Sequence, residues 1–202
     1  MLAMPQDPEN LPPSGARSLA AQVTQVCVIG AGPAGLGCAL FLARAGLSPL
    51  VIDAGGSRLA QVQGLINYPG IERITGAELL AGMRRQASAH GALYLEATVE
   101  RARDLGDRFS LELSAGREVV AEHLVMAAHK GSPLYRQLAL EQDGPFLAVG
   151  AEGRTSHPRV WACGVAAKVV PGHAVVSEGD GARVAVMLAS SVLGRHWKDH
   201  NG

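Results

Sequence analysis

The chain has 202 residues, 48% of them hydrophobic, and its 18 basic and 18 acidic side chains cancel to a formal charge of zero. A chain of this size holds one domain, or one domain with a small appendage, around a real core; its neutral balance excludes nucleic acid as the main partner, and no apolar run approaches the roughly 20 residues of a membrane span. No charged-then-apolar signal opens it, and Cys27, Cys38 and Cys163 are too scattered for a CxxC pair, a disulfide framework or a zinc site, so the expected setting is the cytoplasm, with the cysteines as small buried hydrophobes.

Met1 to Gln22 carries four prolines among polar residues with no sustained period, which predicts a disordered leader over residues 1–22. Val26–Ile29 is then an apolar, mostly β-branched run suited to a buried parallel strand. It leads into Gly30, Gly32 and Gly35 in GxGxxG spacing. In such a turn the first glycine permits the tight exit from the strand, the second lets backbone approach a pyrophosphate, and the third lets the helix lie against the sheet. Pro33 suits the first helical turn, where its missing N–H costs nothing. The helix runs through Leu36, Ala39, Leu40 and Ala43 and stops at Gly46. A second strand, Pro49–Ile52, delivers Asp53, an acid placed to accept hydrogen bonds from a ribose 2′-OH. The unit predicts a dinucleotide on a helix N-terminus.

Ser57–Asn67 is aperiodic and reads as a loop over the ligand, closed by the turn Asn67-Tyr68-Pro69-Gly70. Thr75–His90 is the clearest helix: Thr75 and Glu78 have capping-box spacing, Leu79, Leu80, Met83 and Ala87 share a face, and Gly91 follows the end. Ala92–Ala97 is expected as a third parallel strand. Thr98–Arg103, Arg108–Leu113 and Glu118–Ala121 then form an antiparallel meander, with Glu112 pointing away from the face of Leu111 and Leu113. Leu124–Ala128 is a further buried strand, ending in His129, Lys130 and Gly131. Ligands of open α/β sheets sit outside the carboxyl ends of strands. His129 and Lys130 are therefore either catalytic candidates or two polar residues opening a surface loop.

Phe146–Val149 and Val160–Cys163 are expected strands, with Gly164 closing the second. Pro171-Gly172 leads into a helix over Ala174–Leu193, with Val176, Val184, Met187 and Leu188 toward the core. Gly179 and Gly181 interrupt its early turns at about 1 kcal/mol each relative to alanine, a cost that close approach to a ligand or a strand would offset. Residues 195–202 read as a polar tail. His196 and His200 flank Asp199 there at i, i+4 spacing, and metal is not expected. Cys163 with His157 or His173, and the letters Ser177, Asp180 and His173, lack the motif of a nucleophile site.

The βαβ unit, the Asn-Tyr-Pro-Gly turn, the meander and the glycine-bearing last helix together resemble the thioredoxin reductase group of flavoprotein disulfide reductases, over Val23 to Leu193 and for the FAD-binding domain only. The resemblance implies a doubly wound, Rossmann-like α/β domain over residues 23–194, with a parallel central sheet, an antiparallel β-meander and a C-terminal helix. It implies FAD held by Gly30, Gly32, Pro33, Ala34, Gly35, Asp53 and Asn67. It also matches Thr155–Gly164 to the family's closing block, and brings Gly164, Val165, His173 and Ala174 to the flavin side, with His129, Lys130 and His173 as candidates for tuning the flavin or relaying protons.

Departures are equally specific. The family inserts an NADPH-binding domain with its own GxGxxG and a redox CxxC before the closing block, which here follows Gly131 after a short stretch. Gly164-Val165 replaces the usual Gly-Asp, and Ala127-Ala128-His129 the usual Ala-Thr-Gly. The expected function is an FAD-dependent oxidoreductase fed by a redox protein or a small-molecule electron donor or acceptor. The alternatives are a non-catalytic redox-sensing module and an NAD-binding form of the same fold. Apolar surface freed by the missing domain also favours a homodimer.

Overall fold

The computed structural model describes residues 22–170 and 172–199. The leader therefore lies outside the described residues except for Gln22, which already belongs to the first strand. The elements in chain order are β1 (Gln22–Ile29), α1 (Pro33–Arg44), β2 (Leu50–Asp53), α2 (Gly76–Ala89), β3 (Leu93–Glu96), β4 (Val99–Asp104), β5 (Phe109–Leu113), β6 (Glu118–Met126), α3 (Leu134–Gln137), β7 (Gln142–Asp143), β8 (Phe146–Leu147), β9 (Val160–Ala162) and α4 (Ala174–Leu193).

Apolar strand runs build a sheet with strand order β3-β2-β1-β6-β5-β4, in which β9 also pairs with β6. Strands β1, β2, β3, β6 and β9 are mutually parallel, while β4 and β5 return antiparallel as the meander. Successive residues of β1 face opposite layers. Cys27 and Ile29 join the cluster of Phe109, Leu111, Leu113 and Tyr135, whereas Val26 and Val28 pack under α1 and α4 with Leu42, Val184 and Leu188. The fold is thus the expected doubly wound α/β arrangement.

Capping fixes α2 as its sequence predicts. Thr75 Oγ1 accepts from Glu78 N at 3.2 Å and Glu78 Oε2 accepts from Thr75 N at 3.0 Å, so two otherwise orphaned N–H groups are satisfied reciprocally. That hydrogen bonding holds the Glu78 carboxyl below its ordinary range. Helix α4 also spans its expected residues and ends at Gly194, whose φ of 64° closes the helix.

Several expectations change. Glu118–Ala121 and Leu124–Ala128 are not separate strands but one, β6, whose first half pairs with β5 and whose last residues pair with β9 on the same edge. The polar pair Glu122-His123 that breaks the sequence pattern falls where the partner changes. Phe146–Val149 contributes only Phe146–Leu147, in a small hairpin with β7 outside the main sheet. Val176 is 38% exposed rather than a core residue. Trp197, in the expected polar tail, is buried against the α1–α4 layer, its N–H donating to Ser190 Oγ at 3.0 Å, and Arg44 on α1 pairs with Asp199 through Nη2 at 2.7 Å. The 3₁₀ turn Arg58–Gln61 gives part of the expected Ser57–Asn67 loop regular structure. No helix among the described residues is long and apolar enough to cross a membrane.

The glycines of α4 divide into two kinds. A Cβ on Gly181 would sit 2.0 Å from Ala34 O on α1, so the close approach that offsets its helix cost is to another helix rather than to a strand or ligand. One on Gly179 would meet nothing within 4 Å. Gly181→Ala is expected to destabilise the protein by about 3 kcal/mol, because backbone rather than a flexible side chain must yield, and to lower Tm by about 6–12 °C. Gly179→Ala is expected to raise stability by about 0.5–1 kcal/mol. Thermal unfolding followed by circular dichroism checks both, and equal Tm values would contradict the packing argument.

Candidate functional site

The carboxyl ends of the parallel strands open into a cavity of about 660 Å³, within the size range of sites for small molecules and cofactors. Its floor is the end of β1 and the turn after it, with Ile52-Asp53 from β2, Ala97–Val99 after β3 and Ala127–His129 after β6. Ser57–Leu59, Val62 and Asn67 cover one side; Val165, Gly172–Ala174 and Ser177 form another. The position follows from the topology, since every strand that ends there runs in the same direction.

The three glycines of the turn have separable reasons. Gly30 has φ 108°, and a Cβ there would lie 2.8 Å from Ala127 O. Gly35 does not line the cavity; its Cβ would fall 1.9 Å from Gly30 O, so it seals helix against strand. Gly32 is different. Its φ of −73° and ψ of −178° suit any residue, and the nearest atom to an added Cβ is Ser57 Oγ at 3.9 Å. Neither conformation nor packing within the protein asks for glycine there, and the missing side chain leaves open space over the turn. Pro33 follows at the first position of α1 and Leu36 N is the first to bond back, to Gly32 O at 2.9 Å, so N–H groups of the first turn have no carbonyl within the helix to reach. That turn carries no acidic side chain and offers its positive dipole end to an anion.

Asp53 is held by backbone. Its Oδ1 accepts from Ala31 N at 2.9 Å and its Oδ2 from Gly55 N at 3.1 Å, which fixes the carboxylate at the cavity wall and leaves lone pairs on both oxygens. Asn67 also lines the cavity. Gly164, at φ 62°, packs against Ala34 rather than lining the cavity, and its N–H donates to Asp180 Oδ2 at 2.7 Å. Asp180 is in turn gripped by Arg183 Nη2 at 2.8 Å. Val165 presents an apolar side chain to the cavity where the resemblance leads one to expect an acid. His173 and Ala174 line it at the start of α4, and no side chain caps that helix.

The candidates for proton chemistry separate. His129 lines the cavity, and its carbonyl accepts from Tyr135 Oη at 3.2 Å; burial pushes that phenol up to about 12. Lys130 is not among the lining residues: its ammonium lies over the Phe146 ring, 5.6 Å from the centroid. Cys163 is fully buried beside Cys38, and the hydrogen bond between the thiols together with burial pushes its thiol far above the ordinary range, so it is no nucleophile. His157 meets Asp104 at 3.1 Å and the Phe109 ring edge-on at 5.1 Å, pinning the segment before β9 to the meander. The backbone N–H of Gly106, then His157 and Arg159, hold the Asp104 carboxyl below its usual range. Asp180, taken by Gly164 and Arg183, makes no hydrogen bond with His173. No group of three or more metal-ligating side chains that could hold an ion occurs among the described residues; Asp199 is engaged by Arg44, and His200 lies outside them.

Reasoning from strand ends missed Thr98, Ser132 and Ser177 as lining residues, whereas Ser57 belongs to the loop expected over the ligand. Thr98 had a signal, directly following the expected third strand. Ser177 had one too, a full helical turn beyond His173 on the same face of α4.

Comparison with known proteins adds three findings. The family described as FAD binding domain matches residues 23–143. The thioredoxin reductase of Bacillus subtilis is 35% identical over 109 residues, covering 53% of this chain and 34% of that protein, and the thioredoxin reductase of Rickettsia felis is 37% identical over 132 residues, covering 63% and 42%. The chain thus spans between a third and a little over two fifths of the length of these relatives. Among solved structures, a thioredoxin reductase from Gloeobacter violaceus superposes with TM-score 0.82 at 18% identity, covering 89% of this chain and 99% of that one. The atypical thioredoxin reductase of Desulfovibrio vulgaris Hildenborough gives 0.77 at 19%, covering 85% and 98%.

The contrast between Gly32 and Gly35 is testable. Gly32→Ala is expected to move Tm of the cofactor-free protein by no more than about 2–4 °C, the scale of a weakened N-cap, yet to weaken FAD binding at least about tenfold. Gly35→Ala is expected to lose the fold itself. Tm and FAD titration of both variants check this; a Gly32→Ala protein with wild-type FAD affinity would remove the assigned role.

Proposed function

The chain belongs to the FAD binding domain family in its thioredoxin reductase-like form, and from this premise we propose that it is a flavoprotein oxidoreductase exchanging electrons with an external small molecule or redox protein. The observation that carries the reading is the cavity at the strand ends, where a glycine that the protein itself does not need, a backbone-fixed acid and uncapped helix N-termini face one space. These donors and acceptors suit the pyrophosphate and ribose of FAD. When bound, FAD supplies two-electron redox chemistry, and the protein's share is position and electrostatics.

In this reading residues 23–194 act as a single FAD-binding domain. The first turn of α1, with Gly30, Gly32, Pro33 and Ala34, holds the pyrophosphate, and Asp53 orients the adenosine ribose. Gly35 and Gly164 keep the backbone of that wall close-packed. Asn67, Val165, His173 and Ala174 surround the flavin half, with Val165 and Leu134 excluding water. His129 and His173 are the imidazoles that line the cavity, and in this reading they are the candidates for proton relay. Lys130, turned onto Phe146, serves structure instead. The sequence contains one GxGxxG motif and no CxxC pair. That supports a donor or acceptor outside these residues, a diffusing nicotinamide nucleotide or a partner protein.

An absorbance spectrum of the purified protein, followed by anaerobic addition of NADPH, NADH and then reduced ferredoxin, tests the proposal. Flavin bands bleached by one of these donors are the expected result. Bands that persist against all of them would replace the oxidoreductase by a sensing module. A colourless protein that takes up no added FAD would overturn the reading altogether.

A further inference from the structure

Helix α4 begins at the cavity, and one of its side chains is left in an unusual position. Ser177 is 6% exposed and lines the cavity, yet its hydroxyl makes no hydrogen bond with any described residue. The hydroxyl is not sealed from the cavity, so its unused hydrogen-bonding capacity is open to a ligand there, whereas alanine would fit the same space with a better helix propensity.

Two ordinary ways of satisfying that hydroxyl are present and unused. Within a helix, serine can donate to the carbonyl four residues back. Ser190 in this same helix does so, Oγ donating to Val186 O at 2.8 Å. Ser177 does not; His173 O accepts only Ser177 N, at 3.0 Å. The nearby acceptor on the helix, Asp180, is occupied by Gly164 N and Arg183. The first-turn N–H groups of α4, which begins at Ala174 on the same cavity wall, are capped by no side chain. The wall therefore carries a side-chain donor and the uncapped start of a helix.

We propose that Ser177 is a positioning residue for the flavin, its hydroxyl donating a hydrogen bond to a polar acceptor in the flavin half of bound FAD alongside the N-terminal amides of α4. The inference rests on the FAD reading above. The GxGxxG turn and Asp53 take the pyrophosphate and adenosine end, which leaves the flavin half to the wall formed by Val165, Gly172–Ala174 and Ser177. A donor there stabilises whichever redox state carries more negative charge on the acceptor, so Ser177 sets potential as well as affinity.

The test uses the full chain, stripped of flavin and titrated with FAD, as wild type and as Ser177→Ala. The variant is expected to raise the dissociation constant about tenfold and to shift the flavin midpoint potential negative, by about 30 mV for each tenfold by which reduced-flavin binding suffers more than oxidised. Tm of the flavin-free protein is expected to stay the same or rise. Wild-type affinity, or a wild-type potential, in the variant overturns the inference, as does a loss of affinity accompanied by a lower Tm of the flavin-free protein. If the wild type itself takes up no FAD, the FAD reading fails and this one with it; if wild type binds and Ser177→Ala matches it, only the role of Ser177 is lost.

Discussion

The close packing around Ala34 holds the two ends of the fold together. This small residue in the first turn of α1 is approached by Gly181 of α4, where an added Cβ would lie 2.0 Å from Ala34 O, and by Gly164, where one would lie 2.6 Å from the Ala34 side chain. Its neighbour Gly35 is pressed on Gly30 in the same way. Side chains larger than hydrogen at these points would force α1, α4 and the loop after β9 apart. The cavity is the space left beside that contact, so its walls inherit the rigidity of close-packed backbone.

Local signals were strong wherever one segment satisfied its own needs. The capping box at Thr75 and Glu78, the span of α4 and the shared face of Leu111 and Leu113 on β5 depend on neighbours in sequence, and each was legible there. What was not legible depended on partners distant in the chain. The length of β6 is set by β1, which runs beside it from Gln22 to Ile29 and carries it across the polar Glu122-His123 pair. Phe146–Val149 has the letters of a strand, but its only strand partner is the short hairpin arm Gln142-Asp143. Trp197 looked like part of a polar tail because its flanks are polar, and its burial comes from α1 and α4.

The site followed the same division. Asp53 and the glycines were readable because a βαβ turn needs those residue types in that order. Lys130 and His129 are adjacent in sequence, yet one turns to an aromatic ring and the other to the cavity, a choice made by the β7–β8 hairpin and by Tyr135. Asp180 has a partner that only the fold reveals: the Gly164 N–H finds its carboxylate on α4, sixteen residues further along the chain.

Two walls of the cavity come from residues 29–34 and from residues 165–177, with most of the chain between them. Contacts so far apart in sequence close late, because the entropy of the intervening loop must be met before they are gained. During synthesis the βαβ turn leaves the ribosome well before β9 and α4 exist, and until they dock the face of α1 that they cover is open apolar surface. The nascent chain therefore passes through a stage in which it is exposed to aggregation and the cavity is not yet formed, and any ligand that binds between the two walls favours the last step of folding.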